Sequence, residues 1–359
     1  MRIPRSDLAR LLASTTKVVE ARNTIPILST VRLVADGDVL TVTATDLDIE
    51  VQASAPCEGD LAVCVDAKLL AGIVGKLPTS AVVEFDLKAD NLTVKSGRST
   101  FKLQTLPVDD FPSFSADGFA AEFTADLAAL FAPVAFAIST EETRYYLNGI
   151  YLHAIEDGDY YLRAVATDGH RLSSHSTLLP EGVDTADIFK GVIVPRKLVG
   201  LVPKGAVNVS LSDTKIRITA PDVEFTSKLI DGTFPDYQRV IPKANDKIIT
   251  FDSPAMRQAA ERVSVVSSER GRAIRLSFAG NQAVLAVSNP DQGSANEEIE
   301  VSYDGDKIDI GFNSAYVAEL IGIFPPGEIK LALSDGGSPA VFTSPAAPNL
   351  LAVLMPMRV

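Results

Sequence analysis

Asp168, His170 and Arg171 fall within four positions of one another, in Ala166-Thr167-Asp168-Gly169-His170-Arg171-Leu172. A carboxylate beside an imidazole is the raw material of general acid–base catalysis, but a base also needs a pocket and a partner. A histidine next to arginine in a turn is more often a hydrogen-bonding loop residue. Asp168 has a counterpart in Asp46, within Ala44-Thr45-Asp46-Leu47. An aspartate that recurs in this way reads as a turn-holding residue rather than half of a catalytic pair. Cys57 and Cys64 have no second Cys/His pair at zinc spacing, and two cysteines make no disulfide framework. They read as ordinary reduced thiols. There is no G-x-x-x-x-G-K-[ST] or G-x-G-x-x-G phosphate loop and no G-x-S-x-G elbow. The expectation is therefore no catalytic residue, no metal and no cofactor.

What positions these residues is a repeat. The turn signals Asp36-Gly37, Asp157-Gly158 and Gly280-Asn281 each open a strand-like run, and the runs end at Asp46, Asp168 and Asn289. The spacings are 122 and 121 residues. Val65-Asp66-Ala67-Lys68 matches Val194-Pro195-Arg196-Lys197 and, more weakly, Phe312-Asn313-Ser314-Ala315. Asp110-Phe111-Pro112 matches Thr233-Phe234-Pro235. A period near 120 is domain-sized, too long for a solenoid. Three similar domains are expected, at 1–116, 120–242 and 246–359. Leu8, Leu11, Leu12, Thr15 and Val19 have helical spacing, so 5–20 reads as an amphipathic helix. Most of the remainder alternates, rich in valine, threonine and isoleucine, with Asp-Gly hairpin signals. Each domain reads as α+β: antiparallel sheet plus two helices.

The 359 residues carry a net charge of −13. The six predicted helical segments (5–22, 66–76, 126–138, 195–204, 254–272 and 313–324) carry +6, which leaves −19 elsewhere. Such a chain does not coat a polyanion with its whole surface, but a basic helical layer could face one. The start is charged and is followed by no apolar stretch. The charge-free run near 336–357 is broken by four prolines. No membrane segment is expected, and a cytoplasmic setting is.

The second repeat carries a set of motifs in order: Arg144-Tyr145-Tyr146-Leu147-Asn148-Gly149, Ala166–Leu172, Val194-Pro195-Arg196-Lys197, and Phe234-Pro235-Asp236-Tyr237-Gln238-Arg239-Val240-Ile241-Pro242. The chain closes on Met355-Pro356-Met357-Arg358-Val359. This set resembles the β subunit of bacterial DNA polymerase III, the sliding-clamp family, and the resemblance runs the length of the chain. It implies a head-to-tail homodimeric ring with helices lining the hole, holding duplex DNA by topology without reading its sequence.

The resemblance further implies one hydrophobic pocket per subunit. The replicative polymerase α subunit, the clamp loader, and other polymerases and repair proteins would insert short linear motifs there. Matching positions are Leu147, Thr167, Gly169, His170, Arg171, Leu172, Pro235, Arg239, Val240, Val353, Met355, Pro356, Met357 and Arg358. For DNA they are Arg22, Tyr145, Tyr146, Arg196 and Lys197. Two bland readings stand beside these. Val353–Met357 could be a final edge strand docked on its own domain. Tyr145-Tyr146 could be a strand entrance with one ring buried rather than a stacking platform. The helix near 126–138 departs from the family in lacking basic residues and in carrying Pro133. Competing readings of the whole chain are a nuclease or hydrolase built on Asp168 and His170, and a monomeric peptide-binding scaffold.

Overall fold

The computed structural model describes residues 1–20, 23–114, 118–180, 183, 190–267 and 273–359. The chain forms two compact units, Met1–Ala125 with Leu201–Leu229, and Asp126–Gly200 with Ile230–Val359. Every strand pairing within them is antiparallel, and the helices are few and short, so the architecture is α+β.

Six α-helices lie among the described residues: α1 (Arg5–Thr15), α2 (Ala67–Lys76), α3 (Leu127–Phe131), α4 (Arg196–Val199), α5 (Ser253–Val263) and α6 (Ser314–Ile321). All six begin within a few residues of the predicted starts. Four take a side-chain cap from the residue before them. Asp66, Asp126, Asp252 and Asn313 accept backbone N–H bonds from Leu69, Ala129, Ala255 and from Ala315 with Tyr316. α1 and α4 instead follow prolines, Pro4 and Pro195. α1 buries Leu8, Leu11, Leu12 and Thr15 and ends at Thr15 rather than near 20. Pro133 stops α3 after five residues, and the chain continues as a 3-10 turn, Ala135–Ala137.

The first unit holds a twelve-stranded sheet. Its centre is the meander Thr30–Asp36, Val39–Thr45 and Ile49–Pro56. Strand Ile49–Pro56 then pairs with Val223–Lys228, Ile49 opposite Ser227 and Ala53 opposite Val223. Strands from the first and second repeats thus share one continuous ladder. Both cysteines are buried, and burial pushes the Cys64 thiol up to about 11, so neither is a reactive thiolate.

The second unit holds an eight-stranded and a four-stranded sheet. In the larger, Gly149–Asp157, Asp159–Thr167 and Arg171–Leu178 form a meander. Arg171–Leu178 pairs with Ala347–Leu354, which pairs in turn with Ala340–Ser344. Strand Ala347–Leu354 is therefore interior, and the edge-strand alternative for the chain end is excluded up to Leu354. The smaller sheet runs Gly293–Glu300, Gln282–Asn289, Ala273–Ala279, Ile308–Asn313. One core of Met256, Phe278, Phe312, Leu320, Leu331 and Phe342 lies beneath α5 and α6.

The three hairpin signals all lie at turns. Gly37, Gly158, Gly280 and Asn281 have φ of 62°, 76°, 58° and 63°, the left-handed region that glycine and asparagine tolerate.

Candidate functional site

The turn at Asp168 is a closed hydrogen-bond unit. Asp168 Oδ1 accepts from the backbone N–H of His170 and of Arg171, and Oδ2 takes the Arg171 guanidinium at 3.0 Å. Thr167 Oγ1 accepts from the Gly169 N–H and donates to the Arg171 carbonyl. Gly169 has φ 89°. Asp46 repeats the design, accepting from the N–H of Asp48 and Ile49, with Leu47 at φ 78°. Asn289 does so again, accepting from Asp291 N–H. The carboxylate of Asp168 is thus spent on its own turn, as the repeat implied. The His170 ring is turned toward Tyr316, 6.5 Å between centroids, and is not paired with Asp168. This geometry does not support the nuclease reading. Among the described residues no three His, Cys, Asp or Glu converge as a metal site.

Arg171 is held more tightly than the motif suggested. Its side chain is 11% exposed, ion-paired to Asp168 and Glu319, and its guanidinium lies over Phe136 and Tyr316 at 4.9 and 4.1 Å from the ring centroids. Two carboxylates and two aromatic rings therefore hold its head. Phe136, Tyr316 and Glu319 were missed by sequence reasoning. Only their distance in space from Arg171 marks them, and no local spacing carries that.

Around this turn the fold gathers an apolar cluster. Leu147, Leu172 and Val353 pack with Val165, Ile193, Phe234, Tyr237 and Val341. Leu172 and Val353 are direct cross-strand partners, as are Val353 and Val341. Met355 N–H donates to the His170 carbonyl and Met357 N–H to the Gly311 carbonyl. The segment after Leu354 therefore leaves the larger sheet and joins the edge of the smaller one. Met355 is exposed, Pro356 and Met357 are half-buried, and Arg358 is exposed. Pro235, Arg239 and Val240 are exposed on a segment pinned by buried Phe234 and Tyr237, and Arg239 pairs with Asp236 at 2.8 Å.

Tyr237 is pinned through His153. The His153 ring stacks on Tyr151, which stacks on Phe234 at 4.9 Å. Nδ1 lies 3.1 Å from the Ala154 carbonyl, which can only accept, so Nδ1 carries the proton and Nε2 accepts from the Tyr237 hydroxyl at 3.1 Å. Burial holds the imidazole down to about 4. It is neutral at pH 7.

Of the DNA-directed expectations, Arg22 lies outside the described residues. Arg196 and Lys197 are exposed in the first turn of α4. Tyr145 and Tyr146 lie in a 3-10 turn, Glu142–Leu147, just ahead of strand Gly149–Asp157. Tyr145 is exposed, and Tyr146 is half-buried and edge-on to it at 5.8 Å. The basic character of the helices is weaker than their charge sum, because carboxylates from outside them meet two of the arginines: Arg10 pairs with Asp222 and Arg262 with Glu297.

The comparisons agree from end to end. The N-terminal, central and C-terminal domain models of the DNA polymerase III beta subunit match residues 1–115, 124–236 and 238–358. The chain is 41% identical to the beta sliding clamp of Caulobacter vibrioides and 39% identical to that of Pseudomonas putida, each alignment covering 99% of both chains. A crystal structure of the sliding clamp of Bartonella birtlesii bound to griselimycin superposes with a TM-score of 0.96 at 41% identity, covering 100% of this chain and 99% of that one. A crystal structure of the Caulobacter crescentus clamp does so with 0.93 at 40%, with the same coverage. With the repeat, the turn geometry and the apolar cluster already in place, these matches make the chain a member of the DNA polymerase III beta subunit family, the beta sliding clamps.

Proposed function

We infer that the protein is a sliding clamp: a non-catalytic processivity factor that encircles duplex DNA and tethers the replicative polymerase to it. The full-length family match carries this reading. Two copies close head to tail, with three domains each at 1–116, 120–242 and 246–359. The family models, which part the chain at nearly the same places, support those bounds. No helix among the described residues is long and apolar enough to cross a membrane, in keeping with work on DNA in the cytoplasm.

Partners (polymerase α subunit, clamp loader, other polymerases and repair proteins) dock short apolar motifs on the surface around Leu147, Thr167, Leu172 and Val353. Gly169, His170, the Arg171 stem, Pro235, Arg239 and Val240 rim it, with Met355, Pro356, Met357 and Arg358. The methionines adapt to differing anchors. Griselimycin, found on the Bartonella relative, should compete with such peptides. Arg196, Lys197, Tyr145, Tyr146 and Arg22 contact DNA through phosphate attraction and stacking. The subunit interface uses strand Gly293–Glu300, which among the described residues has a neighbour on one side only in its sheet and carries the exposed Glu298 and Glu300.

The deciding experiment loads the protein on circular and on linearised DNA and measures retention, with mass by light scattering. A dimer retained on circles and lost from free ends is expected. A monomer, or equal retention on both, would refute the ring and favour the scaffold reading.

A further inference from the structure

The sheet face that carries Thr167, Leu172 and Val353 continues past them. Register arranges its side chains in rows across three strands. Thr167, Leu172 and Val353 form one row, and Val165, Ser174 and Leu351 the next. Arg163 and Ser176 form the third, with Asn349 two residues beyond Leu351 on the same face. The rows change from apolar to polar. At the third, a cavity of about 200 Å³ is lined by Arg163, Ser174, Ser176 and Asn349. Ile241 and Leu351 line it too, and both also pack against the apolar cluster. The cavity and the partner surface therefore share a wall.

Arg163 is the unexplained group there. It is half-buried, and its Nε donates to Ser176 Oγ at 2.7 Å. Among the described residues its other guanidinium donors have no acceptor and no carboxylate lies within ion-pair distance. Asp157 lines the same cavity but does not reach it. His153, directly opposite Arg163 in the register, is neutral and bound to Tyr237, so it neither adds to nor cancels this charge. A planar fork of free donors facing an open polar cavity suits a carboxylate.

We propose that this cavity is a second subsite for clamp-binding segments: it takes a carboxylate side chain that flanks the apolar anchors, and Arg163 is the residue that holds it. The proposal rests on the partner surface described above. From the first row to the third is four residues of strand, about 13 Å at ~3.3 Å per residue, so the acid lies about four extended residues from the anchor.

The test uses fluorescein-labelled peptides that carry a Leu-Phe anchor and a single Glu four residues before or after it. Each has a twin with Gln in place of Glu. Binding is followed by anisotropy, with griselimycin as competitor, to the full chain and to Arg163→Gln. One Glu peptide should bind the unsubstituted protein about tenfold more tightly than its Gln twin, a gain of the size expected for one charge-assisted contact. That gain should vanish on Arg163→Gln, while the Gln twin binds both proteins alike. Equal binding of Glu and Gln twins to the unsubstituted protein, for both placements, overturns the subsite without needing any variant. So does a gain that survives Arg163→Gln. Failure of griselimycin to displace the Gln peptide would instead overturn the partner surface itself, and the subsite with it.

Discussion

Acid should loosen the second unit through one residue, His153. Its imidazole is held down to about 4 by burial, against an ordinary 6.5, while one nitrogen donates to Ala154 and the other accepts from Tyr237. As pH falls below the unfolded value, the unfolded chain takes up a proton that the folded chain refuses. The contribution of His153 to stability is therefore lost between about 6.5 and 4, with no further loss from this group below that. A difference of about 2.5 units corresponds to about 3.4 kcal/mol in full, of which about 2 kcal/mol is lost by pH 5. The assay is urea unfolding at pH 7.5 and pH 5.0 of the unsubstituted protein and of His153→Phe combined with Tyr237→Phe. The pair keeps the aromatic packing and leaves no orphaned hydroxyl. Other titrating groups are common to both proteins, so the double variant should lose about 2 kcal/mol less on acidification. Equal losses would refute the reasoning, as would an imidazole proton signal that titrates near 6.5. Because Tyr237 pins the segment bearing Pro235, Arg239 and Val240, peptide affinity should weaken over the same range in the unsubstituted protein only.

Asp168→Ala strips an acceptor from two backbone N–H groups and a partner from a mostly buried arginine. It should cost about 2–3 kcal/mol by thermal melting and reduce peptide affinity severalfold; a neutral result would deny the turn its structural role. Gly311→Ala places a methyl against the Met357 carbonyl and the Val359 side chain, so it should displace the segment after Leu354 and weaken peptide binding while the core melts nearly unchanged. Charge reversal at Glu298 and Glu300 should shift the dimer toward monomer in light scattering at micromolar concentration; an unaltered dimer would move the interface away from strand Gly293–Glu300.

Local features were legible in the sequence, and distant pairings were not. The turns at Gly37, Gly158 and Gly280 follow from the backbone freedom of a few residues, and the buried face of α1, with Leu8, Leu11, Leu12 and Thr15, from their helical spacing. Both signals are complete within a short window. The place of Ala347–Leu354 between Arg171–Leu178 and Ala340–Ser344 depends on pairing across most of a domain. Alternation fixes which side chains share a face, not which strand lies alongside. The candidate site divides the same way. Leu147, Leu172, Val353 and Met355 were named from motifs, but the Arg171 clasp with Phe136, Tyr316 and Glu319, and the Phe234–Tyr151–His153–Tyr237 stack, exist only once strands are assembled. Charge misled in part: summed over helices it ignored Asp222 and Glu297, carboxylates from outside the helices that meet Arg10 and Arg262.

The interior place of strand Ala347–Leu354 has a consequence for biosynthesis. Its partner Arg171–Leu178 leaves the ribosome roughly 180 residues earlier. At about 5–20 residues per second, that strand waits some ten to forty seconds with one edge bare. Strand Ile49–Pro56 waits about as long for Val223–Lys228, but that ladder closes with over a hundred residues still to come. The nascent chain thus carries a finished first unit beside an open sheet edge, and that edge is where a chaperone, or a wrong partner strand, would find it.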